Sequence, residues 1–290
     1  MTSESGSPGQ PAPANAAPKL PYFDMLIPLL DAGNADVAAA FGRHVHWGYW
    51  PDPRLATREA ANYAAAAERL TVEVYGGARI ADSQSVLDVG CGFGGTIANL
   101  NERFDGMRLV GLNIDPRQLA RARETATPRA GNQVEFVDGS ASKLPFPDAS
   151  FDAVLAVEAI FHFPDRTRFF AEAHRVLKPG GRLALSDFVP MQWMQPALWL
   201  NIATSYFTHY GNCDVTYSLQ KYRSLAAGTG FQSVVERDIT GNTMPTYAFL
   251  QALQSAVGSQ SDAATIETRI ICWMSWLRLL RYRILAFEKI

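Results

Sequence analysis

A doubly wound α/β sheet is predicted by three observations. The first is residues 85–95, Ser-Val-Leu-Asp-Val-Gly-Cys-Gly-Phe-Gly-Gly: a short apolar run, a carboxylate, then a glycine-rich turn opening a helix. The second is the alternation of strand-like and helix-like segments as far as Asp187, the rhythm of a parallel sheet with helical crossovers. The third is the continuous apolar character of Phe151–Val157, which suits a parallel strand buried on both faces.

The elements follow in order. Residues 1–19 are Ser, Gly, Pro and Ala with almost no large apolar side chain. They cannot bury enough surface to offset the entropy of ordering, so a disordered leader is expected. Residues 20–290 then form one domain. Tyr22 to Phe41 shows loose helical spacing broken at Gly33-Asn34, and is expected to form an N-terminal helical lid. His44 to Pro51 is dense in aromatics and either packs on the domain face or covers a ligand. Thr57 is placed to cap a helix running to about Tyr75. Ser85–Val89 is the first strand, about Gly95–Phe104 a helix, and Arg108–Asn113 the second strand. Pro116 suits the first turn of a helix through Arg123. Val134–Val137 and Phe151–Val157 are strands. Arg166–Leu177 is a helix stopped by Pro179-Gly180-Gly181, and Arg182–Asp187 the next strand. Helical cap insertions are expected at about 190–211 and 245–279. Between them lie a helix over Ser218–Ala227 and a strand over Ser233–Ile239. Tyr282–Glu288 alternates as a last strand.

Composition narrows the function classes. The chain has 290 residues, 48% apolar and 19% charged, with a formal charge of −2. That is a globular chain with a large core. No cluster of five Lys/Arg marks a nucleic-acid footprint. The apolar stretch Ile270–Phe287 is interrupted by Arg278, Arg281 and Arg283, so no membrane span is expected. The first twenty residues lack a basic start and an apolar block, so no signal peptide is expected. Cys91, Cys213 and Cys272 are isolated. They suggest neither a disulfide framework nor a metal site, and fit a cytoplasmic location. A homodimer is left open.

Gly90, Gly92 and Gly95 satisfy the dinucleotide spacing G-x-G-x-x-G. Asp88 argues against the usual meaning of that spacing, because a carboxylate at the strand end would repel a diphosphate. The same carboxylate suits an ammonium. S-adenosylmethionine carries an ammonium, a carboxylate and a sulfonium, and no phosphate, so a methyl-donor site is expected. A glycine turn without ligand, a nicotinamide-dependent oxidoreductase and a catalytically silent donor-binding protein are the alternatives.

Four segments carry a more specific likeness: 87–95 (LDVGCGFGG), 110–116 (VGLNIDP), 139–152 (GSASKLPFPDASFD) and 175–183 (RVLKPGGRL). With them the chain resembles the class I S-adenosylmethionine-dependent methyltransferases. It is most similar to the bacterial small-molecule enzymes of natural-product and lipid pathways, through His46-Trp47-Gly48-Tyr49-Trp50 and Glu158-Ala159-Ile160-Phe161-His162-Phe163. The resemblance implies a Rossmann-like seven-stranded, mostly parallel sheet with its last strand antiparallel. It implies donor binding at the carboxyl ends of the first strands. Asp88 would hold the methionine ammonium, with the backbone at Gly90, Gly92 and Gly94 around the methionine part and ribose. Asn113 stands where most relatives place a ribose-binding acid, followed by Ile114, so ribose would rely more on backbone groups and Gln118. Asp115 is expected past the strand end. Ser140-Ala141 would lie beside adenine, with Glu158 and Tyr49 also at the donor.

Methyl transfer to a hydroxyl needs alignment, exclusion of water and a base. His162, following the fourth strand, is the leading candidate, against a histidine simply packed between Phe161 and Phe163. His44, His46 and His209 rank lower. Tyr22, Trp50, Trp193, Tyr206 and Tyr210 suggest a largely apolar acceptor chamber, with extra core or a dimer surface as the bland reading. The expected reaction is methylation of a small, largely apolar metabolite at oxygen. Carbon and nitrogen acceptors share the same donor site. No metal is expected. Cys91 reads as a small filler of the glycine turn.

Overall fold

The computed structural model describes residues 20–129, 131–194, 210–211, 213–257 and 262–290. The expected leader at 1–19, and Trp199, Tyr206, Phe207 and His209 of the expected insertion, lie outside the described residues.

Seven strands form one sheet in the order β3-β2-β1-β4-β5-β7-β6. They are β1 (Ser85–Val89), β2 (Arg108–Asn113), β3 (Gln133–Asp138), β4 (Phe151–Ala156), β5 (Leu177–Pro190), β6 (Phe231–Asp238) and β7 (Leu280–Lys289). β1 to β5 pair in parallel, and β7 runs antiparallel to both neighbours. Chain order reverses direction at β1, between β2 and β4, and ligands of open α/β sheets bind at the carboxyl ends of the strands around such a point.

Alternating side chains of each strand fill opposite layers. Leu87, Val89 and Val154 pack with Phe169, Phe170 and Tyr222, whereas Val86, Leu155 and Ala184 pack with Tyr75, Ile97 and Leu100. Helices α4 (Gly95–Arg103), α5 (Pro116–Thr125), α6 (Arg166–Val176) and α7 (Leu219–Gly228) cover the sheet with α3 (Ala60–Gly76). Each of α5, α6 and α7 starts at a side chain accepting an early N–H: Asp115 from Arg117, Asp165 from Arg168 and Ser218 from Lys221, which satisfies a donor the helix leaves unpaired.

A helical cap sits at one end. It consists of α1 (Pro21–Asp31), α2 (Ala35–Phe41), α8 (Pro245–Val257) and α9 (Asp262–Trp276). The break between α1 and α2 falls at Gly33, at φ 72°, and Asn34 caps α2 through Val37 N–H at 3.0 Å. Phe23, Leu26, Val37, Phe41, Tyr63 and Phe249 close the cap's own core. Two local expectations change, at Thr57 and at β5. Thr57 lies outside α3, which starts at Ala60, and its hydroxyl accepts the Glu59 N–H at 3.4 Å. The insertion after 245 is two helices. β5 extends well beyond Arg182–Asp187, because nine of its residues pair with β7 from Arg182↔Glu288 to Pro190↔Leu280. Of the expected insertion at about 190–211, residues 190–194 and 210–211 are described, and the helical part among them is one turn, Gln192–Met194. Among the described residues no helix is long and apolar enough to cross a membrane.

Candidate active site

The glycine turn leaves β1 at Val89. Gly90, Gly92 and Gly94 all have positive φ (79°, 54° and 78°), a region costly for any residue with a Cβ. At Gly90 a Cβ would also lie 2.5 Å from the Cβ of Ala159. Gly94 holds the left-handed position that starts α4. Gly95 serves another purpose: a Cβ there would lie 2.4 Å from His44 Nδ1. The third glycine of the spacing therefore makes room for a histidine, not for a diphosphate.

Asp88 is 1% exposed, hydrogen-bonded to Thr96, and its Oδ1 has no partner. Burial raises its carboxyl from 3.8 to about 7. A buried acceptor without a donor is costly, and a ligand ammonium, directly or through water, supplies the missing donors. Beside the turn lies a cavity of ≈ 770 Å³ whose described lining contains no Lys or Arg. A diphosphate would find no counter-charge there, whereas S-adenosylmethionine needs none. These residues fit the methyl donor.

Most of the expected donor residues meet in that cavity. Gly90, Asn113, Ile114, Gln118, Ser140, Ala141 and Glu158 all line it, while Asp88, Gly92 and Gly94 lie outside its lining. Asn113 is largely occupied within the chain. Its side-chain oxygen accepts the N–H of Ile114 at 2.7 Å and of Asp115 at 3.2 Å, and its amide donates to Gln118 Oε1 at 2.9 Å. That turn folds Asp115 back into the cavity lining. The carboxylate expected past the strand end thus stands at the cavity beside the glycine turn.

A second cavity, ≈ 1200 Å³, lies under the cap and is mainly apolar. Tyr22 and Tyr210 line it with Phe41, Trp47, Phe161 and Phe188. Trp50 and Trp193 do not. Trp50 is buried in the cap core, where its Nε1 donates to Asn62 Oδ1 at 2.8 Å, and Trp193 is 66% exposed. Tyr49 lies outside both cavities, its ring 5.7 Å from the Arg237 guanidinium carbon. The backbone explains these positions: Tyr49 N–H bonds Ala66 O at 2.8 Å and Trp50 N–H bonds Asn242 O at 2.9 Å. This pins the segment so that Trp47 alone of its three large aromatics reaches the cavity.

Tyr22, Glu158 and His162 line both cavities. Glu158 has φ 49°, an unfavourable backbone for a non-glycine residue and a feature concentrated at functional sites. Its Oε2 accepts Trp47 N–H at 2.9 Å, and its Oε1 accepts the Tyr282 hydroxyl. Burial raises its carboxyl from 4.5 to about 8. His162 ends a single 3-10 turn, Ile160–His162. Its ring lies 6.4 Å from that of Tyr22 and 4.5 Å from that of Phe161, and its Nδ1 is 3.9 Å from Cys213 Sγ. Burial, then the nearby Arg166 cation, lowers its pKa to about 3. Below it Arg166 is buried against Asp187 (2.5 Å), with Tyr222 and the Asp214 backbone as further partners.

Trp47, Tyr282, Cys213 and Arg166 escaped the sequence reading of the site. Tyr282 lies opposite Phe188 across the β5–β7 pair, and no local pattern announces that pairing. Among the described residues no group of three His, Cys, Asp or Glu gathers to hold a metal.

Known proteins agree with this geometry. Residues 87–185 match the family model described as a methyltransferase domain. The chain is 34% identical to methyltransferase GfsG of Streptomyces halstedii over 220 residues, 74% of this chain and 76% of that protein. It is 32% identical to O-methyltransferase resE of Aspergillus sclerotiorum over 260 residues, 88% and 92% of the two chains. Its fold matches geranyl diphosphate C-methyltransferase from Streptomyces coelicolor A3(2), solved with S-adenosyl-L-homocysteine, at TM-score 0.70 and 19% identity, covering 95% of this chain and 100% of that one. With relatives of this identity and extent, the chain belongs to the S-adenosylmethionine-dependent methyltransferases that act on small molecules.

Proposed function

We propose that the chain methylates a hydroxyl oxygen of a neutral, largely apolar small molecule, with His162 as the base. The observation that carries this reading is the common wall of Tyr22, Glu158 and His162 between the two cavities. Only at such a wall can a donor on one side and an acceptor on the other meet in line. The bound donor supplies a methyl group already activated on sulfonium. The chain supplies position, dryness and a place for the proton.

His162 is free to accept a proton throughout the neutral range, since its pKa lies at about 3. A ring that holds a proton so weakly does not deprotonate an alcohol in advance. Proton removal therefore accompanies methyl transfer, when the hydroxyl becomes acidic. Phe161 packs edge-on against the ring at 4.5 Å, and Cys213 Sγ lies 3.9 Å from its Nδ1.

The acceptor class follows from the larger cavity. Its described lining holds no Lys or Arg, so a carboxylate or phosphate would be buried without a partner. The O-methyltransferase resE supports oxygen as the acceptor atom. Three free cysteines support a reducing, cytoplasmic setting. Incubation with labelled donor and neutral metabolite fractions, followed by identification of the product, tests the reading. An O-methyl ether supports it; label on carbon or nitrogen, or in an anionic product, overturns it.

A further inference from the structure

Helix α9 of the cap has its polarity reversed. Ala264, Glu267, Thr268, Ile271, Met274 and Ser275 are buried, whereas Ile266, Arg269, Trp273 and Trp276 are exposed, as are Leu277 and Arg278 just after the helix. At about 3.6 residues per turn, the exposed positions of the helix fall in one stripe about 100° wide. A helix on the surface normally turns its polar side to water. Here a carboxylic acid and two hydroxyls face inward, and two tryptophans, 60% and 69% exposed, face outward.

The inner face is accounted for by its partners. Thr268 Oγ1 lies 2.7 Å from the Tyr210 hydroxyl, Ser275 Oγ lies 3.0 Å from the Tyr247 hydroxyl, and Ile271 lines the larger cavity. The outer face has no such account. Among the described residues neither Trp273 nor Trp276 makes a side-chain hydrogen bond or a ring contact. One exposed apolar residue is ordinary, but a contiguous stripe marks an interaction surface. Its charges are of one sign: no exposed residue from 264 to 278 is acidic, and neither Arg269 nor Arg278 forms an ion pair among the described residues. The turn carrying Trp193, another exposed indole, begins beside the end of this helix, where Met191 N–H bonds Leu279 O at 2.9 Å.

We propose that the outer face of α9 docks the protein on the surface of an anionic lipid bilayer. The charges select this occupant. A second copy of the chain would set arginine against arginine with no acid on this face to pair them, and an unpaired guanidinium is costly to bury. An anionic bilayer offers apolar depth to Ile266, Trp273, Trp276 and Leu277, and phosphates to both arginines, whose apolar stems let the charged heads reach the headgroups. Indoles favour this boundary because one ring carries a large apolar body and a polar N–H. The helix has 15 residues, too few to cross a bilayer, so it lies in the plane of the interface. Docking turns the cap toward the lipid, with Ile271 of the same helix on the cavity side. It does not depend on the acceptor atom or the base proposed above.

Co-sedimentation of the full chain with vesicles tests this. Phosphatidylcholine vesicles containing about one-third phosphatidylglycerol present the negative surface that attracts arginine. The protein should bind them, and bind pure phosphatidylcholine about twenty-fold more weakly, about fivefold for each arginine. Binding should weaken as salt rises from about 0.1 M to about 1 M, where the screening length falls from about 10 Å to about 3 Å. Arg269→Gln and Arg278→Gln should each cost about fivefold, and Trp273→Ser with Trp276→Ser at least about tenfold. Lipids brominated on their chains should quench the tryptophan fluorescence of the wild type far more than that of the double variant. These side chains are exposed, so far-ultraviolet circular dichroism and affinity for S-adenosylhomocysteine should stay as in the wild type. If the double variant does not fold, wild-type salt dependence and quenching decide. The proposal is overturned if the protein ignores the anionic vesicles, binds pure phosphatidylcholine equally well, or binds without quenching. It is also overturned if binding survives the double replacement, or if the wild type is a dimer that the same replacement dissociates.

Discussion

Replacing Asp88 by Asn tests whether this buried carboxylate, 1% exposed and with one oxygen unpartnered, holds the donor's ammonium as proposed. In the apo protein burial moves the Asp88 carboxyl from 3.8 to about 7. The folded value is the higher one. The unfolded chain thus ionises first, and stability declines as pH rises from about 4 to about 7. Above that range the ionised group costs the apo fold on the order of 4 kcal/mol. A bound ammonium reverses the preference, because it interacts only with the ionised form. Binding near pH 6 therefore releases a proton from Asp88. Affinity for S-adenosylhomocysteine should rise by up to about tenfold per pH unit below about 7 and level off above it. At about pH 8, Asp88→Asn should weaken binding by roughly 10- to 150-fold, the worth of a hydrogen bond to a charged group at about 1.5–3 kcal/mol. The variant's apo stability at that pH should not fall, since the amide carries no desolvated charge. Isothermal calorimetry in two buffers of different ionisation enthalpy measures both the affinity and the proton count. Unchanged affinity in Asp88→Asn, or wild-type binding that releases no proton near pH 6, refutes the reasoning.

Other perturbations separate the site's parts. His162→Ala should lower turnover by about two to four orders of magnitude with donor affinity nearly intact, and an unchanged single-turnover rate would remove the base. With saturating donor, which keeps Asp88 ionised, the wild-type single-turnover rate should show no break near the ordinary histidine value of about 6.5, because His162 titrates at about 3; a stopped-flow pH series checks this. Gly90→Ala combines a φ of 79° with a Cβ 2.5 Å from Ala159, so donor binding should be lost in calorimetry while far-ultraviolet circular dichroism stays native. Arg166→Met leaves Asp187 buried without its cation and should cost about 3–5 kcal/mol in urea unfolding, part of which Asp187→Asn in the same chain should restore.

The parts legible in the sequence share one property: their cause is local. Gly90 and Gly94 are glycine because a positive φ is needed within a few residues of the strand end. The helices expected from Arg166 and Ser218 begin there, because Asp165 and Ser218 each accept the N–H three residues on. The parts that were not legible depend on partners far along the chain. Trp47 faces the cavity and Trp50 does not, because Ala66 and Asn242 bind the backbone between and beside them. Glu158 is defined by Tyr282, 124 residues later. Asp115 enters the donor cavity because the Asn113 amide turns the chain back on itself, a bond that the identity of Asn113 alone does not specify.

By itself the sequence determined the sheet, its order of strand and helix, and the glycine turn with the carboxylate at the end of its strand. These follow from periodicity and backbone sterics, which act over a few residues. Only the tertiary structure decided which aromatic side chains line the larger cavity, that Tyr22, Glu158 and His162 line both cavities, and that Gly95 accommodates His44. Desolvation and hydrogen-bond pairing between distant segments set those outcomes, and neither quantity exists until the chain has closed around them.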